Sequence, residues 1–273
     1  MGLFGSKTDV GVRVDAAQVI AGASVRVTAT VGELDKKVQG ARIELGYKNT
    51  YRKDSTDSEG DTTTITSSSE VIVATQQIPV ADGQSPGEVV AELQVPADAP
   101  GSAPGVIEWF ARATVDRRRA PDAAAKQPVT VLAPVDALRT WSESPPAVDG
   151  NCTFALDAST RTVQPGDRIT GTLKVTAQDE ISARGVRVQL ERRRYDPDRN
   201  VDADDKTRVE LYSAGELRPG EEHVLPFEIA VPSDAPPSFQ AQHNHQRWYL
   251  QGVVDVKRSS DPNVSLEIVV HTA

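Results

Sequence analysis

The sequence predicts an all-β chain of two tandem β-sandwiches, each of roughly 130 residues. Three observations carry that expectation. Apolar residues alternate strictly with polar ones in several short segments. Gly, Pro, Asp and Ser punctuate the chain between those segments. A series of blocks in the first half recurs, in the same order, in the second.

Strict alternation marks a half-buried strand, because successive side chains leave opposite faces of the sheet. Val186-Arg-Val-Gln-Leu-Glu191 alternates in this way, as do Ile43-Glu-Leu45 and Val25-Arg-Val-Thr-Ala29. From Trp248 onward one face carries Trp248, Leu250, Gly252, Val254 and Val256. The matching face in the first half is Trp109, Ala111, Ala113 and Val115. Both tryptophans are expected to anchor a core. No long segment has a 3.6-residue period, and only Pro121-Asp-Ala-Ala-Ala-Lys126 and Val135-Asp-Ala-Leu138 are expected as short helical turns.

The recurrence implies an internal duplication. Val12-Arg-Val-Asp15 is answered by Phe154-Ala-Leu-Asp157, and Val19-Ile-Ala-Gly22 by Val163-Gln-Pro-Gly166. Val25-Arg-Val-Thr-Ala-Thr-Val31 is answered by Ile169-Thr-Gly-Thr-Leu-Lys-Val175. Further on, Val95-Pro-Ala-Asp-Ala-Pro100 matches Val231-Pro-Ser-Asp-Ala-Pro236, and Trp109-Phe110 matches Trp248-Tyr249. The expected organisation is a first sandwich over residues 1–133, a connector over 134–150 rich in Pro and Ser near its end, and a second sandwich over 151–273. Leu138 and Trp141 of the connector could pack against a domain.

Two features resemble the arrestin-like family, whose domains are immunoglobulin-like sandwiches. One is the turn and strand Pro165-Gly-Asp-Arg-Ile-Thr-Gly-Thr-Leu-Lys-Val175. The other is the apolar strand that enters a Pro-rich bend at Pro226-Phe-Glu-Ile-Ala-Val-Pro-Ser-Asp-Ala-Pro-Pro-Ser-Phe239 and returns as Arg247-Trp-Tyr-Leu-Gln-Gly-Val-Val-Asp-Val256. The nearest functional relatives by this resemblance are the bacterial arrestin-like sporulation-control proteins. It implies a regulatory scaffold that binds protein partners through sheet edges or an interdomain groove and has no chemistry of its own. Pro145-Pro-Ala-Val148 lacks the Tyr of a Pro-Pro-x-Tyr motif, so recruitment through a tail is not carried over.

Composition narrows the classes. The chain has 273 residues and a formal net charge of −9, so it has no general attraction to nucleic acid or anionic lipid. No run approaches the roughly 20 apolar residues of a membrane span, and no secretory signal is expected. The single Cys152 excludes an internal disulfide and a cysteine zinc site and fits a reducing, cytoplasmic compartment. The Ala/Asp/Arg/Val-rich composition reads as prokaryotic. Met1-Gly-Leu-Phe-Gly-Ser6 fits a myristoylation pattern, but that modification is eukaryotic; membrane contact is at most peripheral, through this terminus.

Nucleotide loops, nucleophile elbows and metalloprotease pairs are absent from the sequence, so no cofactor is expected. Cys152 begins a strand and is expected to pack. The alternative to the scaffold reading is a metal-dependent enzyme or calcium-binding module. His243 and His245, two residues apart in an extended chain, would project from one face, with His223 as a possible third ligand. Residues 196–205 place Asp196, Asp198 and Asp202 at alternating positions like the start of a calcium loop, but Val201 stands where Gly is needed and Thr207 where Glu is. Residues 54–61 are acidic at the equivalent place, and both segments are expected as soluble hairpin tips that carry specificity. Two basic clusters, Arg117–119 and Arg192–194, would contact a phosphate or acidic peptide, or pair with nearby carboxylates; Arg192 and Arg194 share a strand face. The expected partner-binding set is Arg192, Arg194, Asp57 and Asp204.

Overall fold

Val10–Val14 (β1) pairs antiparallel with Ser24–Val31 (β3), which pairs on its other side with Gly87–Gln94 (β6). The pairing follows the alternation: Val25, Val27, Ala29 and Val31 are buried while Ser24, Arg26 and Thr30 are exposed. The computed structural model describes residues 9–34, 38–81, 85–118, 121–134, 147–257 and 260–272, with only the backbone of 199–202, 205 and 206. A four-stranded antiparallel sheet supplies the other buried face. It consists of Val38–Thr56 (β4), Thr62–Ile78 (β5), Ile107–Arg117 (β7) and Ala123–Pro128 (β8), in the order β5-β4-β7-β8. Ile43, Leu45, Trp109, Ala111, Ala113 and Val115 line its buried side. A parallel pair, Gln18–Ile20 (β2) with Thr130–Leu132 (β9), closes the end.

The second unit repeats this pairing scheme. One sheet runs Ala147–Asp149 (β10), Cys152–Ala158 (β11), Arg168–Ala177 (β13), Glu222–Ala230 (β16). The other contains Thr162–Val163 (β12), Asn263–Val270 (β19), His245–Val256 (β18), Ile181–Asp196 (β14) and Arg199–Leu217 (β15), in the order β12-β19-β18-β14-β15, with Phe239–Gln240 (β17) added to β18. Its core includes Phe154, Ile169, Leu173, Val188, Leu190, Trp248, Leu250 and Val254. The fold class is therefore all-β, as the sequence indicates.

The chain divides into two compact units, Met1–Ala137 and Leu138–Thr272. Ala147–Asp149, expected in the connector, instead forms β10 and pairs with β11. Val135-Asp-Ala-Leu138 and Trp141 lie outside the described residues. The expected turn at residues 121–126 is corrected: from Ala123 onward the chain is strand β8, because pairing with β7 overrides the helical preference of three alanines.

In each unit one tryptophan ties the Pro-rich bend to the core. Trp109 Nε1 donates to Pro100 O at 2.8 Å, and Trp248 Nε1 donates to Pro236 O at 3.0 Å. Two residues past each proline, a serine brackets the last strand. Ser102 N donates to Val131 O at 2.7 Å while its Oγ accepts from Val131 N at 2.9 Å. Ser238 does the same with Val270, at 2.8 and 3.1 Å. The turns that start the strands leading into each core need a left-handed residue, supplied by Gly22 (φ 93°) and Gly166 (φ 92°).

Trp248 is fully buried. Trp248→Ala is expected to lower stability by about 3–5 kcal/mol in denaturant unfolding. Trp248→Phe, which keeps most of the apolar surface and removes the indole donor while Gln246 Nε2 still donates to Pro236 O at 3.3 Å, should lose about 0.5–1.5 kcal/mol.

Candidate functional site

On the outer face of the sheet β5-β4-β7-β8, side chains from all four strands join in one network. Arg42 of β4 binds Asp116 of β7 and lies 2.9 Å from Glu44. Glu44 also accepts from Arg112 Nε at 2.9 Å, and Arg112 Nη1 donates to Glu70 of β5 at 2.6 Å. Lys126 of β8 donates to Glu70 at 2.9 Å and sits over the ring of Phe110, its Nζ 3.6 Å from the centroid. Glu44 is buried, which a carboxylate tolerates only when paired; two guanidinium groups hold it here. Lys126, together with Arg112, holds Glu70 below the usual carboxylate range.

Beside Phe110 this face opens into a cleft of about 370 Å³. Pro104, Ile107 and Pro128 form apolar walls, and Lys48, Glu108 and Lys126 stand around them. The Lys48–Glu108 pair is loose, at 3.8 Å, with both side chains about half exposed.

The corresponding face of the second unit carries a network of its own. Arg187 Nε donates to Gln189 at 2.9 Å, Gln189 Nε2 to Gln251 at 3.0 Å, and Gln251 Nε2 to Ser265 Oγ at 3.0 Å. Arg193 donates to Glu191 at 2.7 Å and lies over the Tyr249 ring at 4.4 Å. Arg247 Nη1 reaches both oxygens of Glu267, at 2.9 and 3.1 Å. Tyr195 stacks on His245 with centroids 4.3 Å apart. Burial raises the Tyr249 hydroxyl above its ordinary value.

The histidine arrangement differs from the sequence expectation. His243 lies in the turn between β17 and β18, closed by Ala241 N donating to Asn244 O at 2.9 Å, whereas His245 is already in β18. The extended geometry that would align the two rings is absent. His223 lies edge-on to Tyr212, which pairs with Val186, while His245 stacks on Tyr195 nine residues further along β14. That separation is about 30 Å at strand rise, too far for a shared ion. Among the described residues no group of three His, Cys, Asp or Glu side chains could hold a metal.

The second acidic segment is not a loop. Asp196 ends β14, residues 197 and 198 make the turn, and the chain re-enters β15 at Arg199. Asp196 is buried, accepting from Arg194 Nη2 and Asn244 Nδ2, each at 3.3 Å. Asp198 lies in the turn, and Asp202 is opposite Arg194 in the ladder, its side chain outside the described residues. A strand sends alternate carboxylates to opposite faces and cannot wrap a calcium ion. Arg192 pairs with Asp204 at 3.4 Å, so these two expected partner-binding residues engage each other. Asp57 caps the tip of the first hairpin: its Oδ1 accepts from Glu59 N at 2.9 Å and Asp61 N at 3.0 Å. Arg117 N donates to Asp122 at 3.0 Å. Arg119 and Met1-Gly-Leu-Phe-Gly-Ser6 lie outside the described residues. Cys152 is fully buried, and burial pushes its thiol up, away from the reactive thiolate.

Strand β5 is the feature that a search for motifs missed. It runs seventeen residues, pairs with β4 on one side only, and carries one ionisable group, Glu70. Ile65 and Ile72 are among the exposed large apolar residues. The other long edge, β15, contains Arg, Asp, Lys and Glu residues along its length.

Burial, and then Arg247, lowers the affinity of His245 for a proton below the ordinary value of 6.5. The unfolded chain therefore binds more protons between the two values. This contribution to stability is complete above the ordinary histidine range and is lost as pH falls through the lower folded value. His245→Gln should flatten the acid side of the profile of melting temperature between about pH 5 and pH 7.

Residues 150–273 match the family model described as SpoOM protein (Spo0M). The crystal structure of Spo0M, sporulation control protein, from Bacillus subtilis is 20% identical to the chain. The alignment covers 45% of this chain and 51% of that one with a TM-score of 0.39, so the chain spans about half the length of that protein. No curated protein matches the chain. The sporulation-control relation suggested by the sequence thus meets a family match over residues 150–273.

Proposed function

We propose that the protein is a non-enzymatic regulatory adaptor that binds a protein partner by adding an extended segment to the edge of β5. The observation that carries this reading is the β5 edge itself. A strand with one free side presents a row of backbone donors and acceptors, and natural proteins usually blunt such edges with charge, proline or brevity. β5 has no Lys, no Arg and no Pro over Thr62–Ile78 and is longer than the usual strand of about 3–10 residues. Backbone pairing would supply affinity, and the alternating side chains, Ile65 and Ile72 among them, would supply selectivity.

The match of the second unit to a sporulation-control family supports a regulatory role. The shared strand scheme of the two units supports their origin by duplication. The absence among the described residues of any helix long and apolar enough to span a membrane, together with an unpaired Cys152, is compatible with work in the cytoplasm.

The test is capture from the native lysate by the parent chain and by the double variant I65K/I72K. Both positions are exposed, so melting temperature should stay within a few degrees of the parent. Loss of a captured protein by the variant supports edge addition; equal capture by both chains overturns it.

A further inference from the structure

We infer that β5 of one molecule pairs antiparallel with β5 of a second copy about a twofold axis at Ser68, so that the free chain is a dimer joined through one continuous sheet. The inference rests on the reading of β5 as an edge that takes an added strand, and it names that strand. Glu70 reaches Arg112 and Lys126 on the outer face, so Thr64, Thr66, Ser68 and Ile72 share that face, while Ile65, Ser67, Ser69 and Val71 alternate onto the other. The register shift that leaves Val73 outside the ladder, and the approach of β6, whose Val90 O accepts from Gln76 Nε2 at 3.5 Å, limit the open edge to the part before Val73.

Three features make this edge complementary to itself. A twofold that joins two copies in one sheet is perpendicular to it and matches like face with like. Centred on Ser68, it sets Ile65 opposite Val71 of the second copy, Thr64 opposite Ile72 and Thr66 opposite Glu70, over residues 64–72. Ile65 and Ile72, exposed in the single chain, then each gain a cross-strand neighbour. Ser69 is the second feature. Its Oγ is buried and finds no hydrogen-bond partner among the described residues. The same register puts Ser67 of the second copy directly opposite, and hydroxyls on opposed residues hydrogen-bond across a ladder. Symmetry makes that pair twice. Charge is the third. Two chains of net charge −9 must meet where charge is balanced. Glu70, the one ionisable group of β5, is held between Arg112 and Lys126, and this register keeps the two copies of Glu70 about 13 Å apart along the strands.

The experiment is sedimentation equilibrium of the full chain over a range of concentration. The parent is expected at the mass of two chains and I65K/I72K at the mass of one. Thr66 is exposed, so Thr66→Glu tests the register with little effect on folding: it places a like charge opposite Glu70 twice per dimer and should weaken the dimer severalfold, whereas Thr66→Lys should not. Ser68→Cys adds a single accessible thiol, since Cys152 is buried, and a short bifunctional maleimide should join two copies through it. A parent at the mass of one chain, a dimer that survives I65K/I72K, equal dissociation of the two Thr66 variants, or no cross-link through Ser68→Cys overturns the inference. A parent at the mass of one chain whose captured protein is lost by I65K/I72K overturns self-pairing alone; equal capture by both chains overturns edge addition as well.

Discussion

In each unit a hydrogen bond from the tryptophan indole to the carbonyl of a proline, six residues after the preceding strand ends, fixes where the chain turns back. Proline offers no N–H, so its carbonyl is the group of that residue that must find a partner once the bend is buried. Trp109 and Trp248 supply one at 2.8 and 3.0 Å. With the bend fixed, Ser102 and Ser238 are placed to bracket Val131 and Val270, and those strands pair in parallel with β2 and β12. The closure of each sandwich therefore depends on an aromatic side chain that fills the core and satisfies the bend at once.

The outer faces follow from the same scheme but diverge in chemistry. In the first unit cations and carboxylates alternate from Asp116 to Lys126, and the sheet is laced by charge. In the second unit amides do much of this work, through Gln189, Gln251 and Ser265. A neutral amide ladder needs no counter-charge when buried, and beside it Arg193 stacks on the Tyr249 ring. The ionic face keeps half-exposed lysines, and it is there that the cleft opens.

The residues that sequence motifs single out most readily each have a partner within the fold. Asp57 is a turn cap, Asp196 is a buried acceptor, and Arg192 and Asp204 hold each other. Their spacing had suggested calcium or partner contacts because alternating carboxylates read alike in a loop and in a ladder. Only the pairing of β14 with β15 tells these apart. The β5 edge was overlooked for the opposite reason: Thr, Ser, Ile and Val carry no chemistry, and an edge is defined by what does not pair with it.

Much was decided by sequence alone. The alternation of Val25 to Val31 and of Val186 to Leu190, the buried face of Trp248, Leu250 and Val254, and the glycine turns at 22 and 166 all depend on local preferences that a strand or turn imposes residue by residue. They specify an all-β chain with one repeated scheme, and the burial of these side chains follows. Tertiary structure alone decided that the alanines at 123–125 extend as a strand, that residues 147–149 join the second unit, and that His223 lies far from His245. It also decided which of two equivalent aromatic rings is fully covered: Phe110 is buried, whereas Tyr249 is only partly so. These outcomes turn on contacts between segments distant in sequence, whose energies outweigh local propensity and leave no periodic trace in the chain.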